Sequence, residues 1–364
     1  MKYARFIIIC LTLLSGSCSK VVVERQPSAE NFDDIIGWKV TTENISEGLN
    51  PDTRALIEDY DDLKKACTAL EGQEAEKIGL LGNYILDGVS KVVFDNTDLW
   101  WWEKEEGNPH PDYLGEDSYW NYPGEDVYWT SNADYTFKAY FPKSKVELQP
   151  GSGPDKLLIV YDTETTQYDL LVAHKEMLAK SENPVKLIMN NALSALSFDF
   201  QFVETGVSDE LLCCWLENNS DNGLYTSSTL NFEDDIVWPQ STPNPAGSPF
   251  YYWEPEKPLE IRSNYASVAY STSATDGNGS IYTDNFGWLL IIPQSNTNAG
   301  AAKLCFKTST GGSTVYSIDF PAFDFKAGNR YRYHVKMTST GIELSLTIAD
   351  WNERKSSHEI DFND

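Results

Sequence analysis

Two runs near the C-terminus constrain the fold more than any other feature of the chain. Tyr331, Tyr333, Val335 and Met337 alternate with Arg332, His334 and Lys336. After the turn Ser339-Thr340-Gly341, Ile342, Leu344, Leu346 and Ile348 alternate with Glu343, Ser345 and Thr347. A period of two puts each set on one side of an extended backbone, so the runs predict a β-hairpin with one buried face. Phe198, Phe200 and Phe202 repeat the pattern, as do Tyr135, Phe137, Ala139 and Phe141 ahead of Pro142. Trp288 to Ile292 is a continuous apolar run stopped by Pro293, as expected of a central strand. Helical spacing is confined to Leu63, Ala66, Cys67 and Leu70, and to a second stretch over Leu170–Leu178. Many short strands separated by Gly, Pro and Asn turns predict an all-β chain of stacked sandwiches.

At 364 residues the chain has room for two domains. Pro150 to Pro154 is a turn-rich break with strands on both sides. Ser181 to Pro184 is the better boundary, because the second helical stretch ends there and a long run of strands begins. Pro239 to Pro258, rich in Pro, Ser and aromatics, predicts a long loop. The expected organisation is a signal peptide over 1–17, a tether with an N-terminal strand over 18–54, and sandwiches over 55–182 and 183–364.

The first residues are an address. Lys2 and Arg5 precede the apolar run Phe6 to Leu14, followed by Ser15, Gly16, Ser17 and Cys18. This order describes a secretory signal peptide, with a run too short for the roughly 20 apolar residues that span a bilayer. Small residues directly before a cysteine resemble a bacterial lipoprotein signal, in which Cys18 is acylated and becomes the new N-terminus. The plain alternative is a signal peptide with an incidental cysteine.

Charge excludes some functions. Asp and Glu number 55 against 28 Lys and Arg, a net charge of -27. Such a chain repels phosphate backbones, so no nucleic-acid partner is expected, and direct docking on anionic lipid is disfavoured. The remaining cysteines, Cys67, Cys213, Cys214 and Cys305, form no CxxC pair, and only four His occur, so no metal site or cofactor is expected. Neighbouring Cys213 and Cys214 in a strand face opposite sides, which leaves one as a buried small hydrophobe. A disulfide from this pair to Cys305 is an open alternative.

Several segments, taken in order, carry a resemblance. Asp52-Thr53-Arg54-Ala55 is followed by Lys77 to Tyr84 (KIGLLGNY), Tyr135 to Pro142 (YTFKAYFP) and Asp169 to Ala173 (DLLVA). Then come Val185 to Phe198 (VKLIMNNALSALSF), Leu289 to Gln294 (LLIIPQ), Ala327 to Tyr331 (AGNRY) and Thr347 to Trp351 (TIADW). The ordered set resembles the fimbrillin (Mfa-like) lipoproteins of gut and oral anaerobic bacteria. One departure is Asn191, where the family often carries His.

The resemblance implies two tandem transthyretin-like, Greek-key β-sandwich domains on an outer-membrane, lipid-anchored protein. It also implies fimbrial assembly, in which cleavage after an arginine removes an N-terminal strand and a neighbouring subunit supplies a replacement. Arg54 fits the processing position, with Arg25 as the alternative. The tail, where Ile360 and Phe362 alternate with Glu359 and Asp361, is a candidate donor strand. The implied partners are other fimbrial subunits and a host or bacterial surface receptor, a glycan in the alternative reading of a non-polymerising glycan-binding lipoprotein.

Other chemistry is thin. Trp100, Trp101 and Trp102, with Trp120 and Trp129 nearby, are a candidate platform for sugar rings, weighed against plain packing in a Trp-rich sandwich. Tyr251, Tyr252 and Trp253 are a weaker candidate. Asp276 to Ser280 begins like a calcium loop, but Ile281 and Gly287 stand where that loop needs Gly and Glu. His334 is expected to be a solvated residue on the polar face of its strand. No GxSxG, HExxH or phosphate loop occurs, and the chain is not expected to be an enzyme.

Overall fold

A computed structural model describes residues 35–42, 60–68, 75–103, 118–202, 209–255, 257–262, 266–267, 288–338, 341–350 and 358–361. The first half contains β1 (Trp38–Thr42), α1 (Tyr60–Ala66), β2 (Ile78–Leu86), β3 (Val89–Glu103), β4 (Ser118–Asn121), β5 (Asp134–Phe141), β6 (Leu157–Asp162), β7 (Leu171–Leu178) and β8 (Val185–Asn191). All of these strands except β6 close on themselves in the order β1-β4-β3-β2-β5-β7-β8. Closure pairs both sides of every member and so removes the free edges that would recruit other chains.

The second half contains β9 (Ser194–Phe202), β10 (Asp209–Asn218), β11 (Ser227–Phe232), β12 (Ile236–Val237), β13 (Pro249–Trp253), β14 (Leu259–Ile261), β15 (Ala266–Ser267), β16 (Leu289–Ile291) and β17 (Gln294–Asn296). It ends with β18 (Ala302–Thr308), β19 (Tyr316–Asp319), β20 (Phe323–Phe325), β21 (Asn329–Met337), β22 (Ile342–Asp350) and β23 (His358–Asp361). One sheet runs β15-β9-β21-β22-β23, with β16 also on β9; the other runs β13-β10-β18-β19, with β14 also on β10. The hairpin read from the C-terminal alternation is present, with Tyr331 opposite Ile348 and Met337 opposite Ile342.

Each half has its own core. In the first, Trp38, Phe94, Trp120, Phe137 and Leu187 point into the barrel. In the second, Phe198, Phe200, Leu216, Phe306, Tyr333 and Leu346 fill the space between the two sheets. A third cluster joins the halves: Leu81, Tyr140 and Val172 on the outside of the barrel pack with Ile159, Ala195, Leu230 and Leu290. Strand β6 takes part by pairing with β11, from Leu157 opposite Phe232 to Asp162 opposite Ser227.

The glycines in Lys77 to Tyr84 have a packing reason. Gly79 and Gly82 lie opposite Tyr140 and Phe137 of β5, and those rings occupy the space a side chain would need. A Cβ on Gly79 would come within 2.3 Å of the Tyr140 ring.

Several expectations are corrected. Leu170–Leu178 is not a helix: Leu171–Leu178 is β7, paired with β5 along its whole length. Both of its faces are apolar at the start, because Leu171 and Ala173 enter the barrel core while Val172 enters the layer between the halves. That burial erased the alternation that would have identified it. Strand β8, just after Ser181 to Pro184, pairs with β1 and β7, and the second core begins at Leu196. The Pro239 to Pro258 loop contains β13, whose Tyr251 and Trp253 are buried.

Both Cys213 and Cys214 are buried, on opposite faces. Cys214 lies in the main core, and Cys213 lies outside it with Trp215 and Cys305. These three cysteines and Cys67 are free thiols, so the alternative of a disulfide to Cys305 is not realised. His334 is not solvated: its side chain is 13% exposed, and Nδ1 lies 3.3 Å from Asp199 Oδ2 on the adjacent strand.

Candidate functional site

Strand β1 fills a slot in the barrel between β4 and β8. Ile36, Trp38, Val40 and Thr42 alternate with Gly37, Lys39 and Thr41, and the first set is buried. The period-two signal was available in the sequence, but it is only a few residues long.

Strand β1 runs parallel to β8, from Trp38 opposite Val185 to Thr42 opposite Met189. On its other side it meets β4 antiparallel, with Trp38 opposite Trp120. Just before the strand, Ile36 N donates to Val127 O at 2.8 Å, and Val185 N donates to Gly37 O at 2.8 Å. Asn183 grips the same backbone twice: its Oδ1 accepts from Gly37 N and its Nδ2 donates to Ile35 O, both at 3.0 Å.

Trp38 is the anchor of the slot. Its ring meets Phe94 edge-on at 5.3 Å and Phe137 at 5.0 Å between centroids. Burying Ile36, Trp38 and Val40 contributes roughly 5–9 kcal/mol, at about 1.5–3 kcal/mol per large apolar side chain, before entropic costs. The outer face is less favourable, because Lys39 lies directly opposite Lys186 and both are exposed. Like charges in register weaken a strand pair.

Cys18, Arg25, Arg54 and Phe362 lie outside the described residues, as do Asp276 to Ser280. Ile360 lies in β23, opposite Leu346 of β22, so the tail backbone around it pairs with the edge of its own sheet.

The three tryptophans divide by face. Trp101 turns toward the barrel core, against Trp120 at 5.6 Å and under the Lys64 ammonium at 4.5 Å. Trp100 and Trp102 are half-buried on the opposite side, with Trp102 against Tyr119 at 5.2 Å. Trp120 and Trp129 are core residues. Of the weaker aromatic candidate, only Tyr252 is partly open, and it stacks on Trp215 at 5.6 Å. Burial raises the Cys305 thiol to about 11, with Glu217 adding to the shift, so it is no nucleophile near neutral pH. Among the described residues, no helix is long and apolar enough to cross a membrane.

The sequence profile of the fimbrillin-like family matches residues 95–351, more than half of the chain. The chain belongs to the fimbrillin-like family. This is a family of fimbrial and adhesion proteins rather than of enzymes. The matched region begins after β1 but includes β4 and β8, the strands on either side of it.

Two solved structures are similar across most of the chain. One is a fimbrial protein of Bacteroides vulgatus, with 15% identity, TM-score 0.53, and coverage of 87% of this chain and 99% of its own. The other is a protein assigned to cell adhesion from Bacteroides uniformis, with 14% identity, TM-score 0.50, and coverage of 88% and 99%. At these identities the likeness is one of fold. A search of curated proteins by sequence found no match.

Proposed function

We propose that this fimbrillin-like chain is a cell-surface fimbrial subunit or adhesin whose first strand is a removable plug. Cys18 is acylated and tethers the precursor to the outer membrane. Cleavage after Arg54 frees β1, which ends twelve residues earlier at Thr42. The vacated slot between β4 and β8 then accepts an extended segment from a neighbouring subunit. Backbone pairing on two edges supplies affinity, and alternate side chains entering the Trp38, Val40 and Ile36 positions supply selectivity.

The observation that carries this reading is the placement of β1. It is a single short strand, paired on both sides and buried on one face, and it lies wholly upstream of the processing arginine. Its loss would reopen a barrel that is otherwise complete, exposing the main-chain groups of β4 and β8 together with an apolar slot.

The test is treatment with an arginine-specific protease, followed by electrophoresis without boiling. The natural chain should shorten and form a ladder, while Arg54→Ala stays monomeric. A ladder of unchanged strength from Arg54→Ala would refute Arg54 as the processing site.

The second reading, a surface glycan binder that does not polymerise, draws on one observation. Trp100 and Trp102 occupy one outer face beside Tyr119. A polysaccharide screen of the natural chain against Trp100→Ala/Trp102→Ala tests it, with binding expected only for the natural chain.

A further inference from the structure

The outer face of the barrel carries a group of side chains that the strand-exchange reading does not use. His174 and Glu176 stand two residues apart on β7 and therefore face the same side. The turn between β11 and β12 brings Asp234 against them from the other half of the chain. Asp234 Oδ1 is 3.2 Å from His174 Nδ1, and Glu176 Oε1 is 3.7 Å from His174 Nε2. One ligand atom from each residue lies within 4.8 Å of the others.

We propose that His174, Glu176 and Asp234 form a binding site for a divalent transition cation, with zinc the best fit. One imidazole nitrogen and two carboxylates suit a borderline ion, whereas calcium and magnesium favour all-oxygen shells. The His174 side chain is 17% exposed and held by the sheet, while Glu176 and Asp234 are 70% and 79% exposed. The imidazole is thus the fixed ligand. The carboxylates can swing to bring their oxygens onto one ring nitrogen, leaving a coordination position for water.

Two further features bear on the site. The two carboxylates approach different nitrogens of the ring, Asp234 at Nδ1 and Glu176 at Nε2, so either nitrogen has an oxygen ligand within reach. Lys138 lies cross-strand from His174, is fully buried, donates to the Glu233 carbonyl and sits over the Phe232 ring. It pins the turn that carries Asp234, but its charge opposes a cation, which keeps the affinity modest. A bound ion would clamp β7 to the β11–β12 turn and so tie the two halves of the chain together.

The test is calorimetric titration of the chelator-treated chain with zinc chloride, paired with thermal unfolding with and without zinc. Saturable binding is expected, with a higher melting temperature in zinc. His174→Ala should weaken binding at least tenfold and abolish the thermal shift. The exposed pair Glu176→Gln/Asp234→Asn should do the same with the fold intact. Lack of saturable binding, or equal binding by the natural chain and both variants, would overturn the proposal.

Discussion

The Trp38 ring stands edge-on to Phe137, with centroids 5.0 Å apart and an 85° angle between planes, so an upstream residue completes the core of the strands downstream. Trp38→Ala removes that wedge and leaves a hole lined by Phe94, Phe137 and Trp120. The expected loss is about 3–5 kcal/mol, measured by chemical denaturation. A loss below 1 kcal/mol would mean that the barrel does not depend on β1.

The pairing of Lys39 with Lys186 leads to the opposite expectation. Lys39→Glu replaces a like-charge pair by an attractive one on the exposed face and should stabilise the uncut chain by about 0.2–1 kcal/mol. The gain should shrink as salt is added, because exposed charges are screened. Under the proposed function, the same substitution slows release of β1 after cleavage, which the growth of the ladder with time would report.

Gly79→Ala tests the close approach within the barrel wall. The Tyr140 ring is fixed from its far end by a 2.8 Å hydrogen bond from its hydroxyl to Asn96 Oδ1, so it cannot simply swing away. A cost of about 1–3 kcal/mol is expected. Combining Gly79→Ala with Tyr140→Leu should recover part of it, and purely additive losses would contradict the contact.

Stability should carry an acid-sensitive contribution from Asp209. Burial alone would raise its pKa, but hydrogen bonds from Thr308, Thr310 and Ser309 outweigh that and hold it well below the usual carboxylate range. Ser309 Oγ donates at 2.7 Å and Thr310 N at 3.0 Å. A carboxylate depressed on folding stabilises above its unfolded pKa of about 3.9 and loses that contribution as pH falls toward its folded value. Asp209→Asn should therefore be less stable than the natural chain at pH 7, with the gap narrowing below about pH 4. A gap independent of pH would show that the charge is not the cause.

The sequence was most legible where one face of a strand meets a core and the other meets water or polar side chains. The β21–β22 hairpin is such a case. It was least legible where burial is two-sided. In β7, Leu171, Val172 and Ala173 are all buried, because the outside of the barrel is covered by the layer shared with Ile159, Leu230 and Leu290. No local pattern announces that second layer.

The same limit hid the proposed cation site, because treating Leu170–Leu178 as a helix separates His174 from Glu176, and Asp234 is brought in only by tertiary packing. His334 fell the same way: its alternation correctly put it on the polar face, but that face carries the buried Asp199 rather than water. For the proposed plug, Ile36, Trp38 and Val40 show the right period. Their pairing with β8, nearly 150 residues later, is not a local property.

The most direct measurement of the central claim is mass spectrometry of the soluble chain lacking residues 1–18 after limited digestion with an arginine-specific protease, before and after ladder formation on an unboiled gel. The account predicts cleavage after Arg54, retention of the β1 peptide on the monomer, and its absence from the joined subunits. A resistant monomer, or a ladder whose subunits all keep the β1 peptide, would contradict it.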